Sequence, residues 1–286
     1  MKKLLVFIVL TCIILSGFAQ VVGGVHSKLA KYYKNQQWED CAFKADRMIL
    51  KPKYEKDAEV YLYLAASYNK IFLMCLEDTT LLYKVPDYVN AYVYALKYSQ
   101  KSLKLDKKAK KYFPKNDFLL EEIAISGIHY IDHYISINKI PKAVSYLRKI
   151  QRTYTDENLN FMLGVLSAKI NDNQTANQLI KEYFSIIREN KTVKNTDFIA
   201  IDAFDIFVNH LISQEPPLID SAKNVITLAK KTFPNDELIA YLEKVVSDPE
   251  IKLSKPENAK KTGILKHVKI NTSSGDEEDY DEDKDE

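Results

Sequence analysis

The sequence predicts an all-α fold, an α-α superhelix built from about five stacked helix pairs. Only seven of the 286 residues are glycine, and this composition favours long helices over a turn-rich β fold. Small residues also recur at places where two packed helices would approach closely, since a large side chain would hold the helices apart. These small residues are Cys41, Ala95, Ala143, Ala176 and Ala222.

The helix pairs can be placed in order along the chain. They are expected at residues 29–52, 58–106, 118–154, 163–183 and 222–234. A final helix at about 236–246 would cover the open apolar face of the last pair. The expected domain of helical repeats therefore spans residues 20–249.

The second pair has the clearest pattern. Its first helix places Tyr61 before Leu64 and Ala65, with Tyr68 following, and its second helix begins an aromatic-rich amphipathic run at Ala95. Together the two halves resemble the tetratricopeptide (TPR) repeat, here as a divergent, exported bacterial member with insertions. The resemblance implies a set of repeat-packing residues: Tyr61, Leu64, Ala65, Tyr68, Ala95, Ala143, Leu163, Gly164, Ala176, Ala222 and Pro234.

The largest insertion separates Tyr68 from Ala95 and is rich in apolar residues. We expect residues 71–85 to form a protruding hairpin of two lengthened helices. One interpretation packs this hairpin on the equally long helix at 118–138. The alternative is an apolar knob that binds a partner or joins two copies of the chain in a homodimer.

The amino-terminal residues resemble a secretory signal peptide. Lys2 and Lys3 precede an apolar run, and Gly17 and Ala19 supply the small residues of a cleavage site. Residues 1–19 are therefore expected to be removed after Ala19, which gives an exported protein that is periplasmic or associated with the cell envelope. No later segment is apolar enough to predict a transmembrane helix, and Gly23-Gly24 is expected to be a flexible start.

Export would permit a disulfide between Cys41 and Cys75. The two residues fall in different predicted helices, however, so we expect two separate buried thiols.

Charge is distributed unevenly. Residues 276–286 contain nine acidic residues and one lysine, and residues 250–275 are rich in lysine, so 250–286 is predicted to be a flexible tail. Seven lysines cluster at the end of one predicted helix: Lys97, Lys101, Lys104, Lys107, Lys108, Lys110 and Lys111. A solvated helix end that complements the helix dipole explains them, and the acidic residues could screen them in cis. Export argues against a nucleic-acid partner.

Histidines four residues apart on a helix share one face, and His129 and His133 therefore form a candidate zinc pair. The inverted zinc-peptidase pattern has glutamate where this chain has Asp132, and no third ligand is evident. No phosphate-binding loop or nucleophile motif is present. We therefore expect a protein that is not an enzyme and has no cofactor or metal, with an exported zinc-dependent helical enzyme as the alternative.

The resemblance to TPR proteins implies a groove lined by the first helix of each pair. Groove residues expected from the register are Leu62, Tyr63, Ala66, His129, Asp132, Phe161, Met162 and Val165. Their apolar character suggests an amphipathic helix as the ligand, although each could equally belong to the core. The predicted function is a non-catalytic scaffold or adaptor of the bacterial cell envelope that binds an unidentified protein, with a self-assembling structural protein as a further alternative.

Overall fold

The computed structural model describes residues 21–188 and 194–248, and both the predicted signal peptide and the predicted tail at 250–286 lie outside them. The described residues contain twelve α-helices and no strand. Short 3-10 helices occur at Pro52–Tyr54 and Pro86–Asn90. The α-helices are α1 (Ser27–Lys34), α2 (Trp38–Ile49), α3 (Ala58–Glu77), α4 (Thr80–Lys84), α5 (Ala91–Asp106), α6 (Asp117–Ser136), α7 (Ile140–Gln151), α8 (Glu157–Lys169), α9 (Asn173–Arg188), α10 (Asp197–Ile212), α11 (Ile219–Thr232) and α12 (Glu237–Ser247).

The helices form a superhelix of five pairs closed by a final helix. The pairs are α1/α2, α3/α5, α6/α7, α8/α9 and α10/α11, and α12 covers the last pair. First helices pack on each other at three of the four steps, α1 on α3, α3 on α6 and α8 on α10. At the step from the third pair to the fourth, the second helix α7 packs on α8. The predicted all-α superhelix is thereby confirmed.

Acidic N-caps begin three of the helices, α3, α8 and α12. The side chain of Asp57 accepts a hydrogen bond from the backbone N–H of Glu59 at the start of α3. Asp156 and Asp236 each accept two such bonds at the starts of α8 and α12. Each cap satisfies backbone donors that have no partner inside the helix, and the carboxylate also lies favourably at the positive end of the helix dipole.

The small residues predicted to mark helix crossings are all buried: Cys41, Ala95, Ala143, Ala176 and Ala222. Gly164 lies at the crossing of α8 and α9, where an added Cβ would approach the backbone nitrogen of Ile180 to 3.2 Å. Pro234 is an exception, because it is exposed in the turn between α11 and α12. Its prediction as a packing residue is wrong.

The insertion at residues 71–85 does not protrude as predicted. Residues to Glu77 extend α3, and Ile71, Phe72 and Cys75 are buried. The ring of Phe72 lies 5.4 Å from that of Tyr130 on α6, between centroids. The insertion therefore packs on the long helix α6, because the apolar residues of both extensions cover each other. Leu73, Met74, Leu81 and Leu82 of the insertion keep part of their surface exposed, and the homodimer alternative stays a prediction.

Cys41 and Cys75 are free and buried, so the prediction of two separate thiols is confirmed. Burial raises the pKa of each thiol to about 11. Both thiols are therefore protonated near neutral pH and unreactive as nucleophiles. No helix within the described ranges has both the length and the apolar character needed to cross a bilayer.

Candidate interaction surfaces

Six of the eight predicted groove residues are buried and unavailable to a partner: Leu62, Tyr63, Ala66, Phe161, Met162 and Val165. The reason is the depth of their helices in the fold. The helix α3 contacts α1, α2, α5 and α6, and α8 contacts α7, α9 and α10. Phe161 stacks on Tyr183 with ring centroids 4.2 Å apart. These six residues belong to the core, and their prediction as groove residues is corrected.

His129 and Asp132 are the two predicted groove residues that keep some exposure, on one side of α6. The structure brings them towards α10, whose Asp202 lies close enough to influence Asp132 electrostatically. Phe198, Asp202 and Asp205 follow helical spacing on α10 and share one side of that helix. We call the surface formed by His129, Asp132, Phe198, Asp202 and Asp205 the first-helix face.

The electrostatics of the first-helix face are unusual for surface carboxyl groups. Burial, and then the charge of Asp202, raise the pKa of Asp132 to about 8. Burial lowers the pKa of His129. At neutral pH the carboxyl of Asp132 is therefore largely protonated and the imidazole of His129 is neutral. An approaching cation would lower the pKa of Asp132 and favour its ionisation, whereas the imidazole of His129 would stay neutral.

Sequence reasoning missed Asp202 and Asp205. Nothing local links them to Asp132, which lies seventy residues earlier. The signal that could have found them is helical spacing. Asp202 and Asp205 lie three residues apart and so share one side of an otherwise apolar helix, together with Phe198.

His129 and His133 do not join a third metal ligand in the described part of the chain. In that part of the chain, one group of three potential ligands has its ligand atoms within 4.8 Å of one another. It consists of His26, Asp57 and Glu59. That group is already hydrogen-bonded internally: His26 Nε2 lies 2.7 Å from Asp57 Oδ2. The geometry gives no support to zinc chemistry at His129.

Glu59 is fully buried and holds the amino-terminal segment in place. Its carboxylate accepts hydrogen bonds from the backbone N–H groups of Val25 (2.8 Å) and His26 (2.9 Å) and from the Tyr112 hydroxyl (3.1 Å). An added Cβ at Gly24 would approach Glu59 Oε1 to 2.6 Å, so glycine is required there. Gly24 is therefore packed on Glu59 while Gly23 is exposed in the same turn, and the prediction of Gly23-Gly24 as a flexible start is wrong.

A second surface is an open cleft of about 820 Å³ between the ends of α5 and α7. Four cationic side chains line it: Lys104, Lys107, Lys110 and Arg152. We call this surface the basic cleft. The sequence had shown the three lysines, whereas Arg152 reaches them only through the packing of the α6/α7 pair on α5.

One buried carboxylate shapes the wall of the basic cleft. Asp106 accepts hydrogen bonds from the backbone N–H groups of Lys111 (2.9 Å), Tyr112 (3.0 Å) and Phe113 (2.9 Å). Lys110 has a positive φ of 47°, which turns the chain four residues after the end of α5. The loop after α5 is thus fixed by its own hydrogen bonds, and it forms one wall of the cleft.

Comparison of the chain with protein-family models, with curated proteins and with solved structures gave no match. The resemblance to the TPR family therefore stays a prediction from the residue pattern of the second pair.

Proposed function

We propose that this chain is a non-catalytic scaffold of the TPR type, which binds a segment of a partner protein along the first-helix face. The observation that carries this proposal is that Asp132 and Asp202, from two different helix pairs, lie close enough to interact electrostatically. A rigid stack of helices presents such groups at fixed positions, as repeat proteins do for extended ligands.

The chemistry of the face suggests a different ligand from the one expected from sequence. Its apolar anchor is Phe198, which is 38% exposed, with half-buried Ile201 and Ile206 on the same helix, and the face also carries carboxyl groups. A lysine or arginine of the partner would lower the pKa of Asp132 and form a charge-assisted hydrogen bond there. A segment with a cationic residue beside an apolar one fits this surface.

The setting we propose is the bacterial cell envelope. Support comes from Lys2, Lys3 and the following apolar run, which have the order of a secretory signal. In that setting the protein would recruit a partner segment and so promote assembly of an envelope complex.

A photo-crosslinking experiment in intact cells tests the proposal. A photoreactive phenylalanine analogue would replace Phe198 in one variant and Phe43 in a matched control. Phe43 lies on α2 away from the first-helix face and is 64% exposed, so both probes reach solvent. We expect one discrete crosslinked protein from position 198 and none from position 43.

The same crosslink should weaken when Asp132→Asn and Asp202→Asn are combined, because the carboxyl groups then cannot ionise beside a cation. Identical products from both positions, or a crosslink from 198 that the double variant leaves unchanged, would refute the proposed surface.

A further inference from the structure

The basic cleft has a concentration of positive charge that is not compensated by ion pairs with other described residues. Lys104, Lys107, Lys110 and Arg152 are all exposed, and none of them is in an ion pair with another described residue. Favourable interaction with a helix dipole accounts for a cation in the last turn of α5, such as Lys104. It does not account for four cations that converge on one cleft from two helix pairs.

The negative charge in the cleft does not neutralise these cations. Asp106 is the one acidic residue of the lining, and it is buried with its carboxylate directed at three backbone N–H groups. The cleft therefore presents a net positive, preformed surface of a volume typical of ligand sites.

We propose that the basic cleft binds the acidic segment of the same chain, residues 276–286. Nine acidic residues and one lysine give this segment a net charge of −8, and no other stretch of the sequence is comparably acidic. Charge complementarity with the cleft is direct. The inference concerns a surface separate from the first-helix face and does not depend on the proposed function.

The chain is long enough for this contact. Residues 249–275 connect the end of α12 to the acidic segment, and an extended chain of that length reaches up to about 90 Å. Packed helices are about 10 Å apart, so three steps from α12 back to α7 amount to roughly 30 Å. The acidic segment can therefore reach the cleft with chain to spare.

Binding within one molecule is also favoured over binding between molecules. Exposed ion pairs are individually weak, and a short acidic peptide free in solution would occupy such a cleft poorly. A connecting chain raises the effective concentration to the order of mM, which compensates for that weakness. Salt should release the segment, because the contacts are exposed and screened over about 8 Å at physiological ionic strength.

Carbodiimide crosslinking of the full chain tests the proposal, since this reagent couples carboxyl groups directly to lysine amines. Lys223 and Lys231 serve as reference lysines, because both are exposed on α11, next to α12 where the connecting residues begin. We expect crosslinks from residues 276–286 to Lys104, Lys107 and Lys110 to exceed those to the reference lysines by about tenfold at low salt. A segment without preference would react mainly with the nearer Lys223 and Lys231.

Two variants sharpen the result. In Lys107→Gln with Arg152→Gln, the remaining reporters Lys104 and Lys110 should lose most of their crosslinks, whereas Lys223→Gln with Lys231→Gln should leave them unchanged. All four positions are exposed, so the fold should survive, and circular dichroism checks this.

Mixing isotopically labelled and unlabelled protein separates crosslinks within one molecule from those between molecules. Crosslinks within one molecule are expected. Products only between molecules, a preference for the reference lysines, or no effect of the Lys107 and Arg152 changes would each overturn the proposal.

Discussion

Among the described residues, the core contains seven buried polar side chains between positions 59 and 116 and three between positions 157 and 232. The first group is Glu59, Ser67, Asn69, Ser99, Ser102, Asp106 and Asn116, and the second is Asn158, Ser167 and Thr196. The second region is held mainly by apolar and aromatic packing. There Phe161, Tyr183 and Phe204 form a compact ring cluster. The ring centroid of Phe161 lies 4.2 Å from that of Tyr183 and 4.8 Å from that of Phe204.

The difference reflects what each region has to hold. Three of the buried polar groups in the first region hold backbone that is not helical. Glu59 and Asn116 bind residues 22–26, and Asp106 binds the loop after α5. Backbone groups outside a helix need partners when they are buried, and side chains supply them here. Helix-on-helix contacts need no such groups, so ring packing suffices in the second region.

The largest effect is expected from emptying the aromatic cluster. Phe161→Ala removes a fully buried ring between α8, α9 and α10, and should lower the free energy of unfolding by about 3–5 kcal/mol. Urea denaturation measures this change. Phe198→Ala, at a residue that is 38% exposed, is the control and should have a much smaller effect. Equal losses would show that burial does not distinguish these two rings.

A somewhat smaller loss is expected from removing the carboxylate that holds the amino-terminal segment. Glu59→Ala leaves two backbone N–H groups and the Tyr112 hydroxyl without their acceptor, which should lower the free energy of unfolding by about 3 kcal/mol. Hydrogen exchange should accelerate at Val25 and His26 and remain unchanged in α10. Glu59→Gln retains one acceptor oxygen, so its free energy of unfolding should lie between those of Glu59→Ala and the parent chain. Unchanged exchange at Val25 would contradict the proposed tie.

A pH-dependent effect is expected at Asp132. Its folded-state pKa of about 8 lies above the value near 3.9 of an unfolded aspartate, so folding takes up a proton between these values. This contribution to stability is present in full below pH 4 and is lost as the pH rises towards 8. Asp132→Asn should therefore gain melting temperature over the parent chain at pH 8 and differ little at pH 4. The charge of Asp202 contributes to this effect, because it opposes ionisation of Asp132. The same pH dependence of the melting temperature in Asp132→Asn and in the parent chain would contradict this account.

The smallest effect is expected at an exposed ion pair that serves as a baseline for the others. Lys230 and Glu243 join α11 to α12 at 2.8 Å, with both side chains nearly half exposed. Lys230→Ala should change the free energy of unfolding by about 0.5 kcal/mol or less, measured by the same urea titration. A loss comparable to that of Glu59→Ala would mean that surface charge contributes more to this fold than the buried polar groups do.

Much of the architecture could be predicted from local patterns. The helix pairs, the final helix after Asp236 and the small residues at crossings follow from helical periodicity and from the need for close approach. The sequence did not indicate which side of α3 or α8 would be exposed. Leu62 and Phe161 have the spacing of a groove stripe, but neighbouring helices cover the sides of α3 and α8 on which these two residues lie.

The features that bear on function depend on contacts between distant residues. Arg152 joins the three lysines of the cleft, Asp202 approaches Asp132, and Glu59 is buried beside a turn that the sequence would leave free. Helix formation is decided by residues three and four apart, which the linear chain already contains. Burial and the meeting of charges depend on which surfaces pack together, and that is decided only when the pairs stack.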